Sequence, residues 1–196
     1  LRQKADVGFA FDGDGDRCIA VDETGTVLTG DQIIALCAYV MKKEGTLTNN
    51  LVVRTVMSNI GLTVAFEKLG IDSIMTRVGD RYVLEEMQAR GSAIGGEDSG
   101  HIIYLREHTT GDGILTALQV VAAMKKESKP LSELARVMTV FPQSLINVDT
   151  KSRPEIATVP QIMTVIREVE AGLGSQGRVL VRYSGTQNMC RVMVEG

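Results

Sequence analysis

Three carboxylates stand within five residues in Phe11-Asp12-Gly13-Asp14-Gly15-Asp16-Arg17, with only glycine between them. Like charges at that spacing repel, and a hard divalent cation that takes oxygen ligands, Mg²⁺ or Ca²⁺, relieves them. Gly13 and Gly15 free the backbone to turn Asp12, Asp14 and Asp16 toward one point. An alternating D-x-D-x-D also opens the EF-hand loop, and Glu23 falls where that loop places its bidentate glutamate. The register then fails: Arg17 occupies the place of the sharply turning glycine, and Cys18-Ile19-Ala20-Val21 reads as an apolar strand. Val7 to Phe11 reads as a strand before the turn. Strand, acidic turn, strand fits a Mg²⁺ shared with a phosphate, because Mg²⁺ keeps a small protein ligand set. The plainer alternative is a solvated acidic turn, since Asp and Gly are common turn residues.

Two further loops carry chemistry. Gly95-Gly96-Glu97-Asp98-Ser99-Gly100-His101 gathers acceptors, a hydroxyl and an imidazole between glycines. Neighbouring Glu97 and Ser99 suit the hydroxyls of a sugar, and His101 suits proton exchange or phosphate sensing. A polar turn with a structurally satisfied histidine is the alternative. Arg182-Tyr183-Ser184-Gly185-Thr186-Gln187-Asn188, with Arg191 beyond, offers two guanidinium groups, two hydroxyls and the amides of a glycine turn. That is an anion cradle, because arginine binds phosphate oxygens through charge-assisted, bidentate bonds. A tight turn with surface arginines competes with it. Taken together, the three loops describe a phosphorylated sugar handled with Mg²⁺.

The elements that position these loops follow from periodicity. After the first strand pair and the turn Glu23-Thr24-Gly25-Thr26, Asp31 is placed to cap a helix with Ile33, Leu36, Cys37, Val40 and Met41 on its apolar face. A buried strand over 51–56 and a helix bearing Leu62, Ala65, Phe66 and Leu69 follow, closed by Gly70. The plan repeats: a strand over 73–78, a helix over 81–90 capped by Asp80, and a short strand over 92–94. A helix over 112–126 is expected to point Ile114, Leu118, Val121 and Met124 inward, and Pro130 starts a shorter one over 131–138. This alternation predicts an α/β layer with a mainly parallel sheet. Beyond Phe141-Pro142, strands over 144–148, 178–182 and 189–194 outnumber the one helix, predicting a small antiparallel α+β module.

At 196 residues and 44% hydrophobic content the chain has enough apolar surface for a real core. A net charge of −3 argues against a nucleic-acid or membrane surface, and no apolar run is long enough to span a bilayer. Cys18, Cys37 and Cys190, odd in number and far apart, read as free thiols of a reducing cytoplasm. No initiator methionine is present, and both ends run abruptly into strand-like sequence, so a piece of a longer enzyme is expected.

The motifs DGDGDR, GExSGH and RxSGT, in this order and spacing, resemble those of the α-D-phosphohexomutases over essentially the whole chain. The segments Val56-Met57-Ser58-Asn59-Ile60-Gly61, Val78-Gly79-Asp80-Arg81-Tyr82-Val83 and Thr109-Thr110-Gly111-Asp112-Gly113 resemble members that act on hexosamine phosphates. The resemblance implies a mainly parallel mixed sheet layered with helices as the family's domain 3, and a small TBP-like α+β domain 4. Residues 1–25 would end domain 2, 26–140 would form domain 3, and 141–196 a truncated domain 4. It also implies that Asp12, Asp14 and Asp16 ligate Mg²⁺, with Arg17 near the transferring phosphoryl group and His101 assisting proton transfer. Glu97 and Ser99 would bind sugar hydroxyls; Arg182, Ser184, Gly185, Thr186 and Arg191 would hold the phosphate that is not reacting. The implied reaction interconverts glucosamine 6-phosphate and glucosamine 1-phosphate through a phosphoserine enzyme and a bisphosphate.

The sequence departs from the family at the phosphate loop, usually RPSGTEP: Tyr183, Gln187 and Asn188 replace proline, glutamate and proline. No Ser-His-Asn-Pro-like loop occurs, so the phosphoserine is expected in N-terminal domains outside these residues, with the isolated chain inactive. Two other functions stand beside this one: a family member acting on mannose or glucose phosphates, and a non-catalytic module that binds sugar phosphate.

Overall fold

The computed structural model describes residues 4–174, 177–184 and 187–196. Strands β1 (Val7–Phe11) and β2 (Cys18–Asp22) form an antiparallel hairpin around the acidic turn, and β3 (Val27–Leu28) adds to β2. Period-2 alternation sets the face of β2, burying Cys18, Ala20 and Asp22. The turn after β2 is closed by the Asp22 carboxylate, which accepts from the Thr24 hydroxyl (2.7 Å) and the Thr24 and Thr26 amides (both 2.9 Å). Burial pushes the Asp22 carboxyl upward, but these donors outweigh it and hold it below its usual range.

A second sheet has the order β5-β4-β6-β7. Its β4 (Leu51–Thr55) is buried along its whole length and runs parallel to β5 (Asp72–Thr76) and β6 (Ile94–Gly96), while β7 (Ile102–Tyr104) is antiparallel to β6. This is the mainly parallel mixed sheet that the alternation predicts. Around it lie α1 (Gly30–Lys43), α2 (Ile60–Leu69), α3 (Asp80–Arg90), α4 (Gly113–Glu127) and α5 (Leu131–Leu134). The main core joins Ile33, Ile34 and Leu36 of α1 to Leu62 and Phe66 of α2, Val52 and Ile94 of the sheet, and Val120 of α4. Cys18 and Cys37 are free and buried, and burial lifts their thiols to about 11 and about 12. The Tyr104 hydroxyl lies 3.2 Å from the Cys37 Sγ.

Three local expectations change. The cap of α1 is Thr29, whose Oγ1 accepts from the Gln32 amide (3.4 Å) while the Gln32 side chain accepts from the Thr29 amide (3.1 Å). This capping box leaves Asp31 inside the first turn, fully buried. Similarly, Gly79 is the cap residue of α3 and Asp80 lies in its first turn. On α4 the inward face carries Thr116, Ala117, Val120 and Ala123, while Ile114 and Leu118 are 64% and 62% exposed. The rotation of α4 is set at its start, where Asp112 Oδ1 accepts from Leu115 N–H (2.9 Å) and Gly113 N–H donates to the Gly15 carbonyl (2.9 Å). Small residues on the inner face then let α4 approach α1.

The chain divides into compact units at 1–140 and 141–196. In the second, β8 (Gln143–Asp149), β9 (Arg178–Tyr183) and β10 (Met189–Glu195) form an antiparallel sheet in the order β8-β10-β9, with α6 (Pro160–Leu173) against β9. Proline at the start of α6 costs no hydrogen bond there. Its apolar residues Ile162, Val165 and Val169 remain partly open to solvent along a groove shared with Val181 and Val192. Among the described residues no helix is long and apolar enough to cross a membrane.

Candidate active site

The hairpin β1-β2 presents the acidic turn, where carboxylate oxygens of Asp12, Asp14 and Asp16 all lie within 4.8 Å of one another. Gly15 sits at φ +74°, a left-handed conformation that glycine adopts without strain. Arg17 lies over the cluster: its amide donates to Asp12 Oδ1 (3.2 Å), and its Nε stands 3.5 Å from Asp12 Oδ2 and 3.8 Å from Asp16 Oδ1. One arginine does not neutralise three carboxylates. Burial, a hydrogen bond with Asp12 and the charges of Asp12 and Asp14 push the Asp16 carboxyl up, against a smaller pull from His101. For Asp12 the push of burial is outweighed by the Arg17 amide, the hydrogen bond with Asp16 and the Arg17 charge, so its carboxyl is held down. Asp16 Oδ1 is shielded from solvent without a hydrogen-bond partner among the described residues. An orphaned carboxylate oxygen inside a like-charge cluster is the chemistry that a hard cation satisfies, so these residues fit Mg²⁺.

The loop between β6 and β7 is joined directly to this turn. Arg17 and His101 form an antiparallel bridge, and Cys18 N–H donates to the Gly100 carbonyl (3.1 Å). Glu97 is half-buried, with its Oε1 accepting from Gly79 N–H (3.0 Å), and Ser99 is exposed at the tip. His101 is 3% exposed; its Nε2 accepts from Gly111 N–H (3.2 Å) and stands 3.6 Å from Asp16 Oδ2. The imidazole therefore backs the acidic turn from inside. Gly111 is required by close approach: a Cβ there would sit 2.6 Å from the Asp16 carbonyl and 2.5 Å from the His101 ring.

The strap Gly111-Asp112-Gly113 is thus a structural member of the site. Its signal in the sequence is a capping aspartate flanked by two glycines before an apolar helix.

In the second unit, Arg182 on β9 and Arg191 on β10 are cross-strand partners. Residues opposed in this way project from the same face of the sheet. Burial, and after it the charge of Arg191, pulls the Arg182 guanidinium below its usual range. The Nε atoms of both are buried without hydrogen-bond partners among the described residues. Buried Ser184 follows, its Oγ accepting from Gln187 N–H (3.3 Å). Arg153 fastens the far side of the turn, donating to the Gln187 carbonyl (2.7 Å) and Asn188 Oδ1 (3.0 Å). Gly185 and Thr186 lie outside the described residues. Two opposed cations with unused donors are chemistry that an anion would satisfy.

Comparison with known proteins gives the family. The pattern described as phosphoglucomutase/phosphomannomutase, alpha/beta/alpha domain III, matches residues 29–141, and that of the C-terminal domain matches 145–196. The phosphoglucosamine mutase of Syntrophus aciditrophicus (strain SB) is 79% identical over 196 residues, and that of Syntrophobacter fumaroxidans 64%. Each alignment covers 100% of this chain and 44% of the relative, so the chain spans less than half the length of these curated relatives. Among solved structures, N-acetylphosphoglucosamine mutase of Aspergillus fumigatus, in complex with GlcNAc-6P and magnesium, superimposes with a TM-score of 0.80 at 22% identity. That likeness covers 96% of this chain and 48% of the other and shows a shared fold. Family patterns match both units, and the chain belongs to the phosphoglucomutase/phosphomannomutase family.

Proposed function

We propose that the chain is part of a phosphoglucosamine mutase that interconverts glucosamine 6-phosphate and glucosamine 1-phosphate. The observation that carries the reading is the pairing of two like-charge clusters of opposite sign, a carboxylate triad within 4.8 Å and an opposed arginine pair, in one chain. The 79% identity to a relative bearing that name supports the choice of sugar.

In this reading residues 1–25 end the family's domain 2, 26–140 form domain 3 and 141–196 belong to domain 4. Asp12, Asp14 and Asp16 hold Mg²⁺, which when bound neutralises charge on phosphate oxygens. Arg17, beside the triad, stabilises the transferring phosphoryl group. Glu97 and Ser99 orient sugar hydroxyls, and His101, which accepts the Gly111 amide beside Asp16, assists proton transfer. Arg182, Ser184 and Arg191, with Gly185 and Thr186, hold the phosphate that is not reacting, fixing distance and orientation. The phosphoserine that donates and recovers the phosphoryl group through the bisphosphate belongs to N-terminal domains outside these 196 residues. The enzyme works in the cytoplasm on a hexosamine phosphate, with no nucleic-acid or membrane partner.

The test is turnover of glucosamine, glucose and mannose phosphates by the longer polypeptide with Mg²⁺ and a bisphosphate activator. Preference for glucosamine phosphate is expected; preference for glucose or mannose phosphate would reassign the substrate. The 196-residue chain alone is expected to be inactive, and turnover at the rate of the longer polypeptide would refute the placement of the phosphoserine.

A further inference from the structure

A buried carboxylate that the mechanism above leaves unused lies behind the sugar loop. Asp31, in the first turn of α1, is fully buried, and a charge there is costly unless partnered. Asp31 Oδ2 accepts from Asn59 N–H at 2.6 Å. Asn59 in turn caps α2, its side chain accepting from Gly61 N–H (3.0 Å). Ser58 and, through its charge, the Arg54 guanidinium favour the ionised carboxylate. Arg54, 2% exposed, is itself held by Thr63 Oγ1 (2.8 Å) and Ser73 Oγ (3.2 Å).

The same turn of α1 grips the loop. Gly30 N–H donates to the Asp98 carbonyl (3.0 Å), and Asp31 N–H donates to Asp98 Oδ1 (3.3 Å). Asp98 therefore sits on the positive end of a 14-residue helix whose second residue is anchored by its own carboxylate to the start of α2. Two acidic side chains meet there, which stability alone does not favour. Burial and then the Asp98 charge raise the Asp31 carboxyl to about 7, against the Asn59 amide, Ser58 and Arg54. An asparagine at 31 would keep an acceptor for Asn59 N–H without the charge, so the carboxylate points to a task beyond holding the fold.

We infer that Asp31 is a positioning residue for the sugar loop: anchored through Asn59 and Arg54, it locks the first turn of α1 against Asp98 and so fixes how Glu97 and Ser99 project. Glu97 is held independently by Gly79, so the loop is clamped from α1 and from the turn before α3. The inference deepens the reading proposed above and rests on it for the ligand.

The test compares wild type with Asp31→Asn and Asp31→Ala by two readouts: steady-state turnover of glucosamine 6-phosphate by the longer polypeptide, and amide hydrogen exchange over 95–101. Asp31→Asn is expected to raise KM about fivefold with kcat within about twofold, and to speed exchange in the loop while the rest of the sheet is unchanged. Asp31→Ala is expected to move both further. A purely structural role would lower thermal stability and leave KM and loop exchange in the folded variant at wild-type values, which overturns the inference. Should Asp31→Ala fail to fold, Asp31→Asn decides. Wild type inactive on every hexose phosphate would refute the functional reading alone, and loop exchange would still decide the role of Asp31.

Discussion

The acidic turn and the arginine pair are like-charge clusters of opposite sign, held together by different means. The carboxylates of Asp12, Asp14 and Asp16 are near neighbours in sequence, gathered by a glycine turn, with Asp12 and Asp14 exposed and Asp16 Oδ1 shielded behind them. Arg182 and Arg191 lie nine positions apart, brought face to face by the register of β9 and β10, with their Nε atoms buried. Water screens the first cluster, so the turn tolerates its charge and admits a cation that retains water ligands. The second has less screening and unused donors in fixed directions, which suits a phosphate that sheds water for bidentate bonds.

The contrast breaks most sharply at Asp14. Asp14→Ala removes one of the three carboxylates proposed to hold Mg²⁺, and in the longer polypeptide turnover is expected to fall by roughly a thousandfold with a large loss of Mg²⁺ affinity. Steady-state assays across Mg²⁺ concentration check it. Arg182→Ala is expected to raise KM for the sugar phosphate about a hundredfold, the scale of a lost charge-assisted pair, while the Mg²⁺ dependence stays as in wild type. Equal losses of Mg²⁺ affinity in both variants would merge the two sites into one.

A third change sharpens how the acidic turn is held. Gly111→Ala drives a methyl group into the Asp16 carbonyl and the His101 ring, and is expected to cost on the order of 1–3 kcal/mol in denaturant unfolding. Wild-type stability would mean that the strap yields freely. The smallest effect concerns Asp31. Burial raises its carboxyl to about 7 in the folded chain from an ordinary 3.8, so folding favours the protonated form. Its contribution is fully present below about pH 4 and is lost as pH rises toward 7. Wild type is therefore expected to lose on the order of 1–2 kcal/mol between pH 5 and 8 from this group, and Asp31→Asn to lose that much less. Parallel pH profiles of thermal stability would contradict it.

Much of this is legible in the sequence. Strand, acidic turn and strand stood out because glycine and aspartate interrupt two apolar runs, and α2 and α3 were bounded by Gly70 and Gly91, both in left-handed caps. The face of α4 was not legible. Ile114, Leu118 and Val121 recur at helical spacing, yet the first two point outward, because contacts of Asp112 and Gly113 at the helix start fix its rotation. Aspartate is a good cap, which points to Asp31, but Thr29 and Gln32, spaced as a capping box, carry the better signal. The opposition of Arg182 and Arg191 depends on strand register, which a turn sets and composition does not reveal.

The most direct measurement of the two clusters is isothermal titration of Mg²⁺, and separately of glucosamine 6-phosphate, into the longer polypeptide and its Asp14→Ala and Arg182→Ala variants. Asp14→Ala is expected to abolish the Mg²⁺ isotherm and weaken sugar phosphate only slightly, and Arg182→Ala to do the reverse. Wild-type Mg²⁺ binding in Asp14→Ala, or wild-type sugar-phosphate binding in Arg182→Ala, would contradict the assignment of these clusters to metal and phosphate.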